Sequence, residues 1–292
     1  MDQTSQRAIV AAVQLARTLG LGCKDEPECL RDGANLLLHL RPAPVVARIA
    51  TTTALVRQPP QLWLQRDVDM AAFLAAQGCP AVPSSTEIPP GPHLHDGFAI
   101  SFWQYVDHDR NYVATASETA ARLRELHQVL RGYPGPLDRL NPFYELPGWL
   151  DRAQQLGALA ADDIAMLRGA YAEIAAKIGQ CPWPDQPLHG DAHRKNLLKT
   201  ARGLLWTDFE DCCRGPVLWD MACYVRAAAE GRATAMDIPG FASHEGDLEP
   251  FLEARDLQGA IWLPILATRF ADRRPLAAEW LTAARSRYGH RL

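Results

Sequence analysis

One stretch limits what this chain can become more than any other. It is Leu188-His189-Gly190-Asp191-Ala192-His193-Arg194-Lys195-Asn196, followed by Leu204-Leu205-Trp206 and then Asp208-Phe209-Glu210-Asp211. An acid, Asp191, stands five residues before an amide, Asn196, and a second acid, Asp208, follows the apolar run. Taken singly, these are a turn acid, a helix-capping amide and a strand-end acid. Taken together, they are what transfer of a phosphoryl group from a nucleotide to a hydroxyl requires. One group orients the attacking oxygen, and two oxygen ligands hold magnesium on the triphosphate. The loose transition state asks for positioning and charge rather than covalent help, so side chains of this type need only be aimed. The pattern predicts a loop between short strands to present it.

The rest of the chain is compatible with that chemistry and excludes several others. With 292 residues, 48% hydrophobic and 22% charged, it has a globular composition and enough length for two domains or one large two-lobed one. A net charge of -4 gives no basic footprint for nucleic acid. The seven cysteines are odd in number, form no C-x-x-C pair and include the adjacent Cys212-Cys213, which fits a reduced, cytoplasmic setting. The first residues, Met1-Asp2-Gln3-Thr4-Ser5-Gln6-Arg7, lack the layout of a signal peptide. No apolar run reaches the roughly 20 residues that span a bilayer. The expectation is a soluble protein without a membrane or nucleic-acid partner, as a monomer or homodimer.

Periodicity predicts a helix over 4–19, with Ile9, Val10, Val13, Leu15 and Leu19 on its apolar side. Two strands follow, 35–40 and 45–50, joined by Arg41-Pro42-Ala43-Pro44 as an antiparallel hairpin. A second helix is expected over 61–77, its apolar set being Leu62, Leu64, Val68, Met70, Phe73 and Leu74. A proline-rich loop spans 80–97, and Phe98 to Val106 reads as a long strand. Beyond Thr115 the pattern turns helical, over 117–131, 145–156, 161–179, 217–232 and 249–291, with two short strands around a loop at 188–211 and another loop at 233–248. This is an α+β order. The expected division is 1–107 and 108–292.

The motif H-G-D-x-H-x-x-N, carried by His189, Gly190, Asp191, His193 and Asn196, resembles that of the aminoglycoside phosphotransferase and choline kinase-like family. Asp208-Phe209-Glu210 and Gly215-Pro216-Val217-Leu218-Trp219-Asp220-Met221-Ala222 resemble the family's segments C-terminal to that motif. The resemblance implies a two-lobed protein-kinase-like fold, with an antiparallel sheet in the small N-terminal lobe and a larger, mostly helical C-terminal lobe. It also implies ATP (or GTP) and Mg2+ as cofactors. By it, Asp191 is the catalytic aspartate, Asn196 and Asp208 are metal ligands, His189 and His193 brace the loop, and Asp220 is a buried acid that stabilises it. Glu210 stands where protein kinases have glycine, which turns the match toward small-molecule kinases. Its role is either to assist the metal through water or to brace the loop.

In the first lobe, Arg48 within Val45-Val46-Ala47-Arg48 sits where such kinases place a phosphate-contacting lysine; otherwise it is an outward strand arginine. Asp67 aligns with the acid that pairs with that cation, one methylene shorter than glutamate, and Asp69 competes with it. No G-x-G-x-x-G occurs, and Gly33 is the one glycine just before Asn35. Trp103, Gln104 and Tyr105 fall at the expected hinge, where backbone groups would hydrogen-bond adenine; the aromatic rings are equally suited to a core.

The acceptor is expected to be a small hydroxylated molecule, first an aminoglycoside or related antibiotic or amino sugar, then an amino alcohol such as homoserine or choline, or a sugar. A cationic substrate suits Asp211, Glu230, Asp237, Glu245, Asp247 and Glu249, which otherwise are ordinary loop charges. Two rival classes are a catalytically weak nucleotide-binding interaction module and a zinc hydrolase built on histidines such as His93 and His95.

Overall fold

The computed structural model describes residues 1–227 and 245–289. In chain order its elements are α1 (Gln3–Thr18), β1 (Glu28–Asp32), β2 (Asn35–His39), β3 (Val45–Ala50), α2 (Gln61–Ala76), β4 (His93–His95) and β5 (Phe98–Gln104). Then come α3 (Ala116–Leu130), α4 (Asn141–Tyr144), α5 (Leu146–Gln155), α6 (Ala161–Gly179), β6 (Gln186–Leu188), β7 (Leu197–Thr200), β8 (Gly203–Trp206) and β9 (Cys213–Gly215). The described residues close with α7 (Leu218–Arg226), α8 (Glu245–Arg269) and α9 (Arg274–Tyr288). They divide into two compact units, Met1–Tyr112 with Leu197–Asp211, and Val113–Asn196 with Cys212–Leu292.

The first unit is built on an antiparallel sheet of order β1-β2-β3-β5-β4. The expected hairpin is present, with Leu36 opposite Ile49 and Leu38 opposite Ala47. β3 continues onto β5, with Ala47 opposite Phe102 and Arg48 opposite Ser101. Leu36, Leu38, Ala47, Ile49, Ile100 and Phe102 are fully buried and pack with α1 into one core. Asp2 caps α1, accepting the Ser5 N–H at 2.8 Å.

Two helix faces differ from their expected sets. In α1 the buried face is made largely of alanines, Ala8, Ala11, Ala12 and Ala16, and Val10 is exposed. In α2 Leu62 is exposed, and Asp67 and Ala71 take buried places instead. Small residues allow close packing without registering as a hydrophobic period, and an acid can be buried when it is paired. Strands β1 and β4 are edge strands that the periodicity missed. Their burial alternates between half-buried and exposed, so no apolar run marks them.

The second unit is mostly helical, as expected. Thr115 and Glu118 form a capping box that starts α3. Around the motif the expectation of two short strands gives way to four, in two separate pairs. β6 pairs with β9, Leu188 opposite Cys213, while β7 pairs with β8 in the first unit, Leu197 opposite Trp206. The motif loop therefore leaves one sheet and ends at the start of another. The helix expected over 217–232 is described only to Arg226, and most of the 233–248 loop lies outside the described residues. All seven cysteines are free thiols. No helix among the described residues is long and apolar enough to cross a membrane.

Candidate active site

The motif loop is fixed from α7. Asp220, in the first turn of that helix, is fully buried and accepts two successive backbone N–H groups, His189 to Oδ2 at 2.9 Å and Gly190 to Oδ1 at 2.8 Å. One residue earlier, the Trp219 indole N–H donates to the Gly190 carbonyl at 2.7 Å. Gly190 has φ 86°, in the left-handed region that favours glycine. This turn lets both faces of one short segment meet one helical turn. His127 on α3 completes the clamp, its Nε2 lying 2.8 Å from Asp220 Oδ2. Burial disfavours the charge on Asp220, but the His127 bond and the His189 groups outweigh it and hold the carboxyl below its ordinary range. Nothing in the sequence singles out His127 for this place. It sits on an amphipathic helix like any other polar position, and no local motif marks it.

Beyond the clamp the loop presents Asp191. Its N–H donates to His189 Nδ1 at 3.3 Å, and its carboxylate is held on both sides. His193 Nε2 lies 3.2 Å from Oδ2, and Arg255 on α8 donates to Oδ1 at 2.6 Å. Burial again opposes ionisation, yet His193 and then Arg255 hold Asp191 well below the usual carboxylate range. It is a committed carboxylate, suited to orienting a hydroxyl more than to keeping its proton. A turn over Arg194–Asn196 follows, and Asn196 Nδ2 donates to the Asp191 carbonyl at 3.0 Å. That bond leaves the amide oxygen as the group Asn196 can offer a cation.

The first unit carries the other half of the motif. Arg48 is buried at 5% exposure, not outward-facing. Its guanidinium meets Asp208 Oδ1 at 2.5 Å, Glu210 Oε2 at 2.9 Å and Asp67 Oδ2 at 3.4 Å. Asp67 Oδ1 also accepts the Phe209 N–H at 2.9 Å. Asp69 instead accepts from Gln65 on the exposed side of α2, so Asp67 is the acid that faces Arg48. Asp208 has φ 72°, unusual for a residue with a side chain and a mark of a locally held conformation.

Glu210 is buried and braced. Asn35 Nδ2 donates to Oε2 at 3.0 Å and Arg57 Nη1 to Oε1 at 3.4 Å, while Arg57 also pairs with Asp211. Burial pushes Asp67 up to about 7, with Asp208 and Glu210 adding to it and Arg48 opposing. For Arg48 burial works against the charge, but the three acids, Asp208 foremost, outweigh it and raise the guanidinium well above its ordinary value. Both shifts are upward, so the guanidinium keeps its charge while Asp67 is held toward its neutral form: one cation serves three carboxylates, and Asp67, the most distant, receives the least. Arg57 and Asn35 escaped the sequence reading: one precedes a Pro-Pro break, the other begins a strand, and neither belongs to a periodic pattern.

At the expected hinge, Trp103 is buried and its indole N–H donates to Ser101 Oγ at 2.9 Å. The Gln104 N–H is committed to Pro83 O at 3.0 Å and that of Tyr105 to Pro44 O at 2.8 Å. The Tyr105 ring stacks on His39 at 3.7 Å. Of the acids considered for an acceptor, Asp211 pairs with Arg57, Asp247 accepts from Trp183, and Glu249 pairs with Arg287. Glu230 and Asp237 lie outside the described residues, as does the side chain of Glu245. His93 Nε2 bonds to Pro89 O, and no cluster of three or more His, Cys, Asp or Glu among the described residues is arranged to hold a metal ion.

Comparison with known proteins agrees with the motif. The sequence matches the phosphotransferase enzyme family over residues 43–257. No relative is found among curated proteins. Among solved structures it is similar to an amicoumacin kinase in complex with AMP-PNP, Ca2+ and Ami, with TM-score 0.70 and 14% identity over 98% of this chain and 96% of that one. A microcompartment-associated aminopropanol kinase gives TM-score 0.65 and 16% identity, covering 94% of each chain. A choline/ethanolamine kinase family protein from Mesorhizobium loti gives 0.57 and 17%, covering 97% and 93%. At these identities the likeness speaks for the fold, which is the protein-kinase-like one. The chain belongs to the phosphotransferase enzyme family, as a small-molecule kinase of the aminoglycoside phosphotransferase and choline kinase-like kind.

Proposed function

We propose that this protein transfers the γ-phosphoryl group of ATP, or GTP, to a hydroxyl of a small molecule, with an aminoglycoside or related antibiotic or amino sugar as the first acceptor class. The observation that carries the reading is the held carboxylate of Asp191 on a loop whose backbone is clamped by Asp220. In this reading Asp191 orients the acceptor hydroxyl and takes its hydrogen bond as the oxygen attacks phosphorus. The Asn196 amide oxygen and the Asp208 carboxylate are hard oxygen donors of the kind magnesium prefers, and they fit that ion by chemistry. When bound, it would neutralise charge on the phosphates. Arg48 contacts the phosphates and Asp67 holds Arg48. Since the Gln104 and Tyr105 amides are committed within the fold, the reading gives the base edge to the Gln104 carbonyl and the Val106 N–H. A cytoplasmic location suits the free thiols.

A second acceptor class, a metabolic amino alcohol, is supported by the similarity to an aminopropanol kinase and a choline/ethanolamine kinase family protein. Asp211, Asp247 and Glu249 already have partners, which weakens the charge argument for a polycationic acceptor. The test is ADP release from magnesium ATP over a panel of aminoglycosides, amino alcohols and sugars. Turnover with one class and not the others ranks the two. Magnesium-dependent ATP binding with no transfer to any acceptor would leave an interaction module instead.

A further inference from the structure

Asp191 ends in a carboxylate whose plane is set by nothing intrinsic, because the last torsion of aspartate is broad. Something must aim it. Arg255 lies 64 residues further along the chain, outside any motif, and its Nη2 donates to Asp191 Oδ1 at 2.6 Å. Apart from Asp191, the guanidinium is fixed from two directions. Its carbon stands 5.6 Å over the Trp219 ring, and Nη1 donates to Gln258 Oε1 at 2.5 Å, one turn along α8. Gln258 is buried and in turn donates to Pro142 O at 3.4 Å. Trp219 is the residue whose indole N–H holds the Gly190 carbonyl. One aromatic ring therefore underlies both the loop backbone and the cation that meets its carboxylate.

We propose that Arg255 is a positioning residue that sets the direction of the Asp191 carboxylate. The proposal rests on the reading of Asp191 as the group that orients the acceptor hydroxyl. With Arg255 on Oδ1 and His193 on Oδ2, rotation about the last torsion is restrained from both sides. An ionised carboxylate has about four acceptor positions, so these partners still leave room for a hydroxyl donor. Arginine suits the task because its planar fork can be held by the helix and by Asp191 at once, which a point charge cannot match. No signal within 188–211 could reveal it, since the residue comes from a distant helix.

The test uses Arg255→Gln and Arg255→Lys, each alone and combined with Asp191→Ala, with ADP release from magnesium ATP as readout and water as the acceptor always present. Crystal structures of the two single variants show the Asp191 carboxylate directly. Arg255→Gln is expected to lower kcat roughly 10²-fold with KM for ATP unchanged, the scale of loss that a misaimed group produces. Its Asp191 carboxylate is expected to be rotated or spread over several rotamers, and Arg255→Lys to recover part of both. On the Asp191→Ala background the glutamine variant is expected to cost nothing further, because two residues acting through one carboxylate are not additive. Wild-type kcat in Arg255→Gln with Asp191 in place overturns the proposal, and so does a loss that persists undiminished on the Asp191→Ala background. Should the glutamine variant not fold, a wild-type kcat in Arg255→Lys counts against the proposal and an intermediate one supports it. Wild-type turnover in Asp191→Ala would instead overturn the reading of Asp191 itself.

Discussion

Asp220 Oδ1 accepts the backbone N–H of Gly190 at 2.8 Å, while its other oxygen takes the N–H of His189. A single fully buried carboxylate therefore fixes the two peptides that lead into Asp191. Asp220→Ala leaves both donors and His127 without that acceptor. We expect a loss of about 3–5 kcal/mol, the range for removing one member of a buried charged network, read by urea unfolding. The carboxyl of Asp220 is held below its ordinary value, so its contribution is present above the unfolded value. It is lost as pH falls through the lower, folded one. An acid-unfolding midpoint that does not move in the variant would contradict this.

Gly190 occupies the turn between those two bonds with φ 86°. Gly190→Ala is expected to destabilise by about 1–2 kcal/mol, the cost of a left-handed backbone for a residue with a Cβ. Thermal unfolding checks it, and an unchanged midpoint would show that the turn is not held as described.

Asp67 supplies a pH dependence of opposite sign. Burial, with Asp208 and Glu210 adding to it, raises its carboxyl to about 7 in spite of Arg48. An unfolded aspartate titrates near its ordinary value of about 4. Between those values the folded chain binds a proton that the unfolded chain does not, so this group makes stability fall as pH rises from about 4 to about 7. Asp67→Asn removes the titration while an amide oxygen can still accept the Phe209 N–H. The variant is expected to show a flatter decline of unfolding free energy across that window, and a slope equal to that of the wild type would refute the assignment.

Arg48 serves Asp208, Glu210 and Asp67 through one forked group. Lysine keeps the charge but not the fork. Arg48→Lys is expected to weaken magnesium ATP binding roughly tenfold, in proportion to the loss of one charge-assisted hydrogen bond. Calorimetric titration measures it. Unchanged affinity would mean that the fork serves the buried acids alone.

How much of this could be read from the sequence varies with the range of the interaction. The hairpin of β2 and β3, the helix α3 and the loop of Gly190 and Asp191 all follow from local patterns, and the structure has them; the Thr115 cap of α3 emerges only in the structure. Edge strands β1 and β4 carry no apolar run, so they stayed hidden. The alanine face of α1 was misread because volume, not hydrophobicity, decides which residues pack there. At the candidate site, the motif marked Asp191, Asn196, Asp208 and Asp220, but not the groups that hold them. Arg255, His127, Arg57 and Asn35 reach their partners across long stretches of chain. Ion pairs of that kind leave no spacing to read.

On the proposed function, Asp191 aims a hydroxyl at the phosphoryl group of ATP. The most direct measurement is single-turnover phosphate transfer from magnesium ATP to the best acceptor of the panel, compared between the wild type and Asp191→Ala, with ATP affinity measured in parallel. We expect transfer to fall by roughly 10²–10⁴-fold while ATP affinity stays close to that of the wild type. Transfer at the wild-type rate in the alanine variant would contradict the account.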